Sequence, residues 1–219
     1  GHHRRQRQMC IRDSNNTNIP IQSKSGDISD IDVSKNLILS KPDIIFHLAA
    51  IVSGQAEQEF DLGWDINAKG SWGLFEAIRH QGENYCPRLV FTSSIAVFGA
   101  PFPDKIPDDF FTTPLTSYGA QKAISELLLA DYSRKKMIDG VSIRLPTICV
   151  RPGKPNLAAS GFFSGIIREP LNGQEAILPV NPNVRHWHAT PRAAAGFLVH
   201  AAEIDLSLIH ISEPTRLDD

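Results

Sequence analysis

The sequence has few of the features that mark disulfide-rich, membrane-spanning or nucleic-acid-binding proteins. Its 219 residues include only three cysteines, which show neither CxxC nor metal-ligand spacing. This pattern is typical of a reducing, cytoplasmic compartment and predicts neither a disulfide framework nor a metal site. No apolar run is long enough to span a bilayer, and the net charge of -2 does not indicate nucleic acid or a membrane surface as a partner. What remains is a globular protein of one domain or a large part of one.

The two ends of the chain differ from the rest. "MCIRDS" (residues 9–14) and "LSLIHI" (206–211) can be encoded by one DNA element that is read on opposite strands. That element resembles the transposase adaptor used to build sequencing libraries. We therefore expect residues 1–14 and 206–219 to be non-native tails, and the native sequence to be cut at both ends. The alternative is a pair of unusual native tails.

Strand-like and helical patterns alternate between these ends. Residues 42–52, 88–94 and 140–150 read as strands, the first of them buried on both faces, and residues 57–81 and 117–138 read as helices. Residues 103–114 form a polar, proline-rich loop. A helix that begins at 161 and ends before Gly173, a strand over 175–180 and a helix over 190–203 follow. Strands and helices in this alternation predict an α/β fold with a doubly wound parallel sheet.

Ligands of such sheets bind at the carboxyl ends of the strands, so the residues there are the first candidates for a site. Ser94 ends the second predicted strand, and "SYGAQK" places Tyr118 and Lys122 one helical turn apart at the start of the next helix. A second pair, Tyr132 and Lys136, lies about 21 Å further along the helix axis. We therefore interpret that second pair as an ordinary helical one.

The trio of Ser94, Tyr118 and Lys122 is suited to oxidising an alcohol. A free phenol has a pKa of about 10, and a nearby ammonium group lowers it by favouring the phenolate. The serine hydroxyl can hold the substrate oxygen beside the phenol. Together the three side chains could remove the hydroxyl proton while a hydride leaves the carbon.

The motifs "HLAA", "NAKGSWGLFEA", "FTSSIAVFG", "YGAQK" and "RLPT" occur in this order. Together they resemble the extended short-chain dehydrogenases, a family that includes nucleotide-sugar epimerases and dehydratases. The resemblance implies a Rossmann fold that binds NAD, with NADP not excluded, and a homodimer when the protein is full-length. The Gly-rich turn of the family is absent here, so we expect residues 15–150 to be a partial dinucleotide-binding domain, incomplete at its N-terminus. Residues 151–205 would be part of a small substrate-binding region plus a returning helix.

The resemblance also implies which residues meet the cofactor. Asp27 and Ile28 match the pair that meets adenine, and Lys122 would hold the nicotinamide ribose as well as assist Tyr118. The full expected cofactor set is Asp27, Ile28, Leu48, Ala49, Ala50, Asn67, Tyr118, Lys122 and Pro146. Asn67 would support the site from the neighbouring helix, and Pro146 would lie near the nicotinamide.

The segment "RHWHATPR" falls where the family binds its substrate, and Arg185 matches the anion-binding arginine. The amino-acid sequence of the C-terminal half is most similar to that of family members that oxidise the 2-hydroxyl of a four-carbon sugar acid. For such a small anionic sugar acid the expected contacts are Ser53, Ser94, Arg151, Ser160 and Arg185.

Three functions stay open from the sequence. The first is an NAD-dependent sugar-acid dehydrogenase, the second is a nucleotide-sugar epimerase or dehydratase with the same trio, and the third is a non-catalytic dinucleotide sensor. Thr147, which stands where nucleotide-sugar epimerases usually carry asparagine, favours the first. We expect the 219-residue chain itself to be inactive.

Overall fold

A parallel β-sheet of three strands lies at the centre of the structure, a computed structural model that describes residues 22–151 and 157–205. The strands are β1 (Ile44–His47), β2 (Arg88–Ser94) and β3 (Asp139–Leu145), in the order β1-β2-β3. The register pairs Ile44 with Arg88 and Ser94 with Leu145. Parallel neighbours need crossover connections, and helices supply both of them. The α/β prediction with a parallel sheet is confirmed.

The first crossover consists of several short helices. Helix α1 (Ile31–Ile38) precedes β1, and α2 (Ser53–Gln58), α3 (Phe60–Gly63), a π-helix (Trp64–Lys69) and α4 (Gly70–Arg79) lie between β1 and β2. The second crossover is α5 (Ser117–Arg134). Side chains from α4, α5 and β2 share one core cluster, which includes Phe75, Phe91 and Leu129. Val90 of β2 points to the opposite face of the sheet and is fully buried there.

The C-terminal part adds a second, two-stranded parallel sheet. Strand β4 (Thr147–Ile148) pairs with β5 (His188–Ala189), with α6 (Phe162–Leu171) between them, and α7 (Pro191–Glu203) packs on β2 and β3. Thr190 caps α7 by accepting a hydrogen bond from the Ala193 N–H, and Pro191 occupies the first turn, where no N–H is needed.

The structure corrects three of the predicted elements. The helix predicted over 57–81 is interrupted at Glu59, whose backbone is not helical, and then continues as α3, the π-helix and α4. The strand predicted over 140–150 is divided at Pro146, which has no N–H to donate to a strand ladder. The strand predicted over 175–180 is wrong, because this segment has no strand partner among the described residues and Ile177 is largely exposed.

Two further predictions were too long. Strand β1 ends at His47, and its expected burial on both faces is wrong because Ile44 and Phe46 are about half exposed at the edge of the described sheet. Helix α5 ends at Arg134, since Lys136 has a φ of 57° and so cannot continue a right-handed helix. The predicted tails, 1–14 and 206–219, lie outside the described residues, as do residues 15–21 and 152–156.

Candidate active site

Ser94 and Tyr118 meet at the carboxyl end of β2. Ser94 is the last residue of the strand, and its Oγ accepts a hydrogen bond from the Ala96 N–H at 3.1 Å. The Ser94 hydroxyl lies close enough to the phenol of Tyr118, in the first turn of α5, to act against the rise in the pKa of that phenol. The pair predicted from the sequence, 24 residues apart, is thus brought together by the loop between β2 and α5.

Glycine makes this approach possible. A Cβ atom on Gly119 would lie 2.2 Å from the carbonyl oxygen of Ala96, so α5 begins in direct contact with the turn that follows Ser94. The Thr116 hydroxyl caps the helix by accepting from the Gly119 N–H at 3.1 Å. The Glu57 carboxylate accepts from the Ser117 N–H at 2.9 Å and is placed favourably at the positive end of the helix dipole.

The loop between β2 and α5 is closed at its base. The Gly99 N–H donates to Thr113 Oγ1 at 3.0 Å, and the Thr113 hydroxyl donates to the Gly99 carbonyl at 3.1 Å. The Thr113 N–H donates to the Val97 carbonyl at 2.9 Å. These bonds hold both ends of the loop beside the Ser94–Tyr118 pair.

Lys122 lies below Tyr118 on α5 and is almost completely buried. Its Nζ donates to the carbonyl oxygen of Thr92 at 2.7 Å and lies 4.7 Å from the ring centre of Phe91 and 5.8 Å from that of Tyr118. Burial lowers the pKa of Lys122 to about 8, although the Glu126 carboxylate opposes this change. An ammonium group has three donors, so one bond to Thr92 leaves two for a ligand.

The expectation that Lys122 lowers the pKa of Tyr118 is wrong for this arrangement. Burial raises the pKa of the phenol, and only the Ser94 hydroxyl acts against it by stabilising the phenolate. Tyr132, the alternative tyrosine, packs on Phe75 in the core and donates to the Glu76 carboxylate, far from the strand ends. Its surroundings fit an ordinary structural residue.

Asn67 is fully buried in the π-helix, where its amide bonds to two residues. Its Oδ1 accepts from the Ile51 N–H at 2.9 Å, and its Nδ2 donates to the Ile51 carbonyl at 3.3 Å and to Gln121 Oε1 at 2.8 Å. The carbonyl of Asn67 accepts from the hydroxyls of Ser71 and Ser125. The Asn67 amide therefore holds the segment after β1 against the π-helix and α5.

The other expected cofactor residues lie on three separate segments. Leu48, Ala49 and Ala50 directly follow β1 and are exposed. Asp27 accepts from the N–H and hydroxyl of Ser29, and Ile28 packs against Gly70. Pro146 is buried at the end of β3.

The expected substrate residues are only partly brought together. Ser53 Oγ accepts from the Ala159 N–H at 3.1 Å, which places the start of α2 next to the segment that carries Ser160. The Arg151 N–H donates to Ser164. Arg185 is exposed and, within residues 22–151 and 157–205, makes no ion pair or hydrogen bond with the others.

Sequence reasoning missed several buried contacts around the site. Gln121 and Thr92 were not predicted, although Gln121 lies within the "YGAQK" motif. Near β4 and β5, Thr147 shares a hydrogen bond of 2.7 Å with His186, and His188 Nδ1 lies 3.6 Å from Cys149 Sγ. Within the described part of the chain, no group of three or more His, Cys, Asp and Glu side chains could hold a metal ion.

Comparison with known proteins agrees with this geometry. The family model described as the NAD dependent epimerase/dehydratase family matches residues 3–201. The chain belongs to this family. Within the family, D-erythronate dehydrogenase of Cupriavidus necator is 52% identical over 180 residues, which is 82% of this chain and 55% of that protein. D-erythronate dehydrogenase of Haemophilus influenzae is 47% identical over 168 residues, which is 77% of this chain and 53% of that protein.

A solved member of the family has the same fold. The nucleoside-diphosphate-sugar epimerase of Agrobacterium tumefaciens is 59% identical and superposes with a TM-score of 0.84, over 89% of this chain and 58% of that one. The chain thus spans about half the length of the curated relatives it matches. No helix in the described ranges is both long and apolar enough to cross a membrane.

Proposed function

We propose that the full-length protein oxidises the 2-hydroxyl of a small sugar acid similar to D-erythronate and passes the hydride to NAD. The observation that carries the proposal is the close approach of the start of α5, with Tyr118, to the turn after Ser94 at the carboxyl end of β2, with Lys122 one turn further along α5. Two relatives named D-erythronate dehydrogenase, at 52% and 47% identity, support this choice of substrate.

In the proposed reaction, Ser94 orients the substrate hydroxyl and Tyr118 accepts its proton. Bound NAD would supply the acceptor for the hydride that leaves C2, so the product is the 2-keto acid. Because burial raises the pKa of Tyr118, the phenol holds its proton at neutral pH and becomes a better proton acceptor as the pH increases. Oxidation should therefore become faster as the pH rises.

The residues present fit a dinucleotide at this edge. Lys122 has two donors left for ribose hydroxyls. The exposed Leu48, Ala49 and Ala50 offer a small-residue, apolar surface beside it, of the kind that lines a ligand site. Pro146 and the Asp27–Ile28 pair complete the proposed set of cofactor contacts. Asn67 would support the site indirectly, through its hydrogen bonds to Ile51.

The proposed substrate contacts are Ser53, Ser94, Ser160, Arg151 and Arg185. An arginine fork suits the two oxygens of a carboxylate, and exposed Arg185 has its guanidinium available within the described structure. The full-length protein is proposed to be a cytoplasmic homodimer with residues 15–150 in the dinucleotide-binding part and 151–205 in the substrate part, and no nucleic-acid partner is proposed.

The catalytic role of Tyr118 can be tested with a matched pair of tyrosine variants in the full-length protein. Tyr118→Phe is expected to remove most turnover while NAD still binds, because only the proton acceptor is lost. Tyr132→Phe loses a buried bond to Glu76, so it should lower the melting temperature and keep turnover. If Tyr132→Phe abolishes turnover and Tyr118→Phe does not, the wrong tyrosine has been assigned.

The substrate class is tested by a screen of sugar acids and nucleotide sugars. Oxidation of D-erythronate or a close 2-hydroxy acid is expected, and Arg185→Ala should raise KM strongly through loss of a charged contact. Turnover of nucleotide sugars alone would favour the epimerase alternative, the activity after which the Agrobacterium tumefaciens relative is named.

A further inference from the structure

We propose that Gln121 is a positioning residue, which fixes the Asn67 amide and thereby the segment that follows β1 on the cofactor side of the site. This inference rests on the proposed function for the identity of the ligand. Gln121 is fully buried and is the residue directly before Lys122 on α5. It touches neither substrate nor cofactor in the proposed arrangement, so its influence must pass through other residues.

The Asn67 amide joins α5 to the segment after β1. Its Oδ1 accepts from the Ile51 N–H at 2.9 Å and its Nδ2 donates to the Ile51 carbonyl at 3.3 Å, so the backbone of Ile51 fixes which way the amide points. The same Nδ2 donates to Gln121 Oε1 at 2.8 Å, the shortest of the three bonds. Gln121 therefore anchors to α5 an amide that is already bound to Ile51.

The Nε2 atom of Gln121 indicates that packing alone does not explain a polar side chain at this position. Its Nε2 is buried without a hydrogen-bond partner in the described structure, which costs free energy that an apolar side chain of similar length would avoid. Gly63 makes room for this group, since a Cβ there would lie 2.7 Å from Nε2 and 3.2 Å from Ala56 Cβ. The Oε1 atom of Gln121, which accepts the hydrogen bond from Asn67, is therefore the atom that gives this side chain its proposed role.

The consequence is a link between two parts of the proposed cofactor site. Lys122 and Gln121 are neighbours on α5, so the helix that carries the ribose-binding lysine also holds Ile51 through Asn67. Leu48, Ala49 and Ala50 lie just before Ile51 and are exposed. Without the Gln121 bond, Asn67 would keep its two bonds to Ile51 and lose its tie to α5, so the segment would be held less firmly relative to Lys122.

The test is Gln121→Met in the full-length protein, which keeps the length of the side chain and removes its acceptor. Hydrogen–deuterium exchange of the 48–52 segment without ligand is expected to become about tenfold faster at Ile51, and the Kd for NAD, measured by calorimetry, about tenfold higher. Tenfold is the factor that one neutral hydrogen bond can supply. The melting temperature should be retained, since an unpaired buried donor is removed together with the bond.

Ser125→Ala is the matched control on the same helix. It removes buried bonds to the carbonyls of Asn67 and Gln121 without touching the Asn67 amide, so it should lower the melting temperature and leave the Kd for NAD unchanged. The Gln121→Met change is also made in an Asn67→Ala background. There it should not change the Kd for NAD further, because Gln121 acts through Asn67, which is already absent.

The outcomes separate this inference from the proposed function. Unchanged exchange at Ile51 in Gln121→Met overturns the inference whether or not NAD binds. An undiminished effect on the Kd in the Asn67→Ala background overturns it as well, since Gln121 would then act elsewhere. A wild-type protein that binds NAD but oxidises no sugar acid overturns only the proposed substrate, and one that binds no NAD overturns the proposed function together with the cofactor role of Gln121.

Discussion

Because Gly119 contacts Ala96, we predict that replacing this helical glycine with alanine destabilises the protein. Replacing a helical glycine with alanine normally stabilises a protein by up to about 1 kcal/mol. In Gly119→Ala the new methyl would lie 2.2 Å from the Ala96 carbonyl oxygen and 3.0 Å from Pro114 Cβ. Carbon–oxygen contacts begin at about 3.3 Å, so the start of α5 must move away from the turn after Ser94 by about 1 Å.

This movement should affect both stability and rate. Overpacking of this kind costs about 1–3 kcal/mol, and each kcal/mol lowers the melting temperature of a chain of this size by about 2–4 °C. Tyr118 precedes Gly119 directly, and a misplacement of about 1 Å in a reacting group can cost on the order of a hundredfold in rate. Thermal unfolding followed by circular dichroism and initial rates of NADH formation measure the two effects separately.

Gly196→Ala on α7 is the control, because a Cβ atom at this position would have no heavy atom of a neighbouring described residue within 4 Å. It should raise the melting temperature by the ordinary helix gain and leave the rate unchanged. If Gly119→Ala stabilises the protein as much as Gly196→Ala does and retains its turnover, then α5 does not approach the Ser94 turn as described. The explanation for the Ser94–Tyr118 geometry would then be wrong.

Three further predictions follow from burial and exposure. Lys122→Met should lose both turnover and NAD affinity, yet gain up to about 3 kcal/mol of stability at pH 7, because burial has lowered the pKa of Lys122 to about 8 and the folded state carries a disfavoured ammonium. Denaturant titrations should show the difference in the free energy of unfolding between variant and wild type shrinking from pH 8 to 10.5, where only the unfolded lysine still binds its proton. Unchanged NAD affinity in the variant would contradict the proposed contact of Lys122 with the ribose. Burial, with Lys122 nearby, lowers the pKa of His47 to about 3, so stability should fall as the pH drops from 6.5 to 5 and only the unfolded imidazole is protonated. His47→Leu should flatten that slope, and a wild-type profile that is already flat would contradict the burial of a neutral histidine. The 219-residue chain as written exposes Ile44 and Phe46 on an edge strand, so it should be poorly soluble and bind NAD far more weakly than a full-length relative; micromolar affinity in a calorimetric titration would refute this.

The elements that the sequence predicted best are those whose pattern is local. Strand β2 and helix α5 have continuous apolar or helix-forming sequences, and β2 begins and ends where it was predicted to. Strand β5 was missed because its two residues are a strand only by pairing with Thr147 and Ile148, about forty residues away. The segment over 175–180 has a strand-like composition, but composition alone does not supply a partner.

The candidate site shows the same division. Spacing along one helix and a strand end was enough to select Ser94, Tyr118 and Lys122. The contact of Gln121 with Asn67 joins residues 54 positions apart, and no local pattern marks it. The raised pKa of Tyr118 was also unpredictable, because it depends on how much solvent the folded chain excludes from the phenol rather than on the distance to Lys122 in sequence.

The closed loop between Gly99 and Thr113 has a consequence for engineering. Hydrogen bonds join its two ends and Phe110 packs on Phe98 at its base, whereas residues 101–109 are exposed. Lengthening such a loop costs only about 0.6 kcal/mol for each doubling. A fluorescent domain or an affinity handle can therefore be inserted at its tip with the reactive hydroxyls undisturbed, and a reporter placed there would lie one short segment away from any ligand that binds beside them.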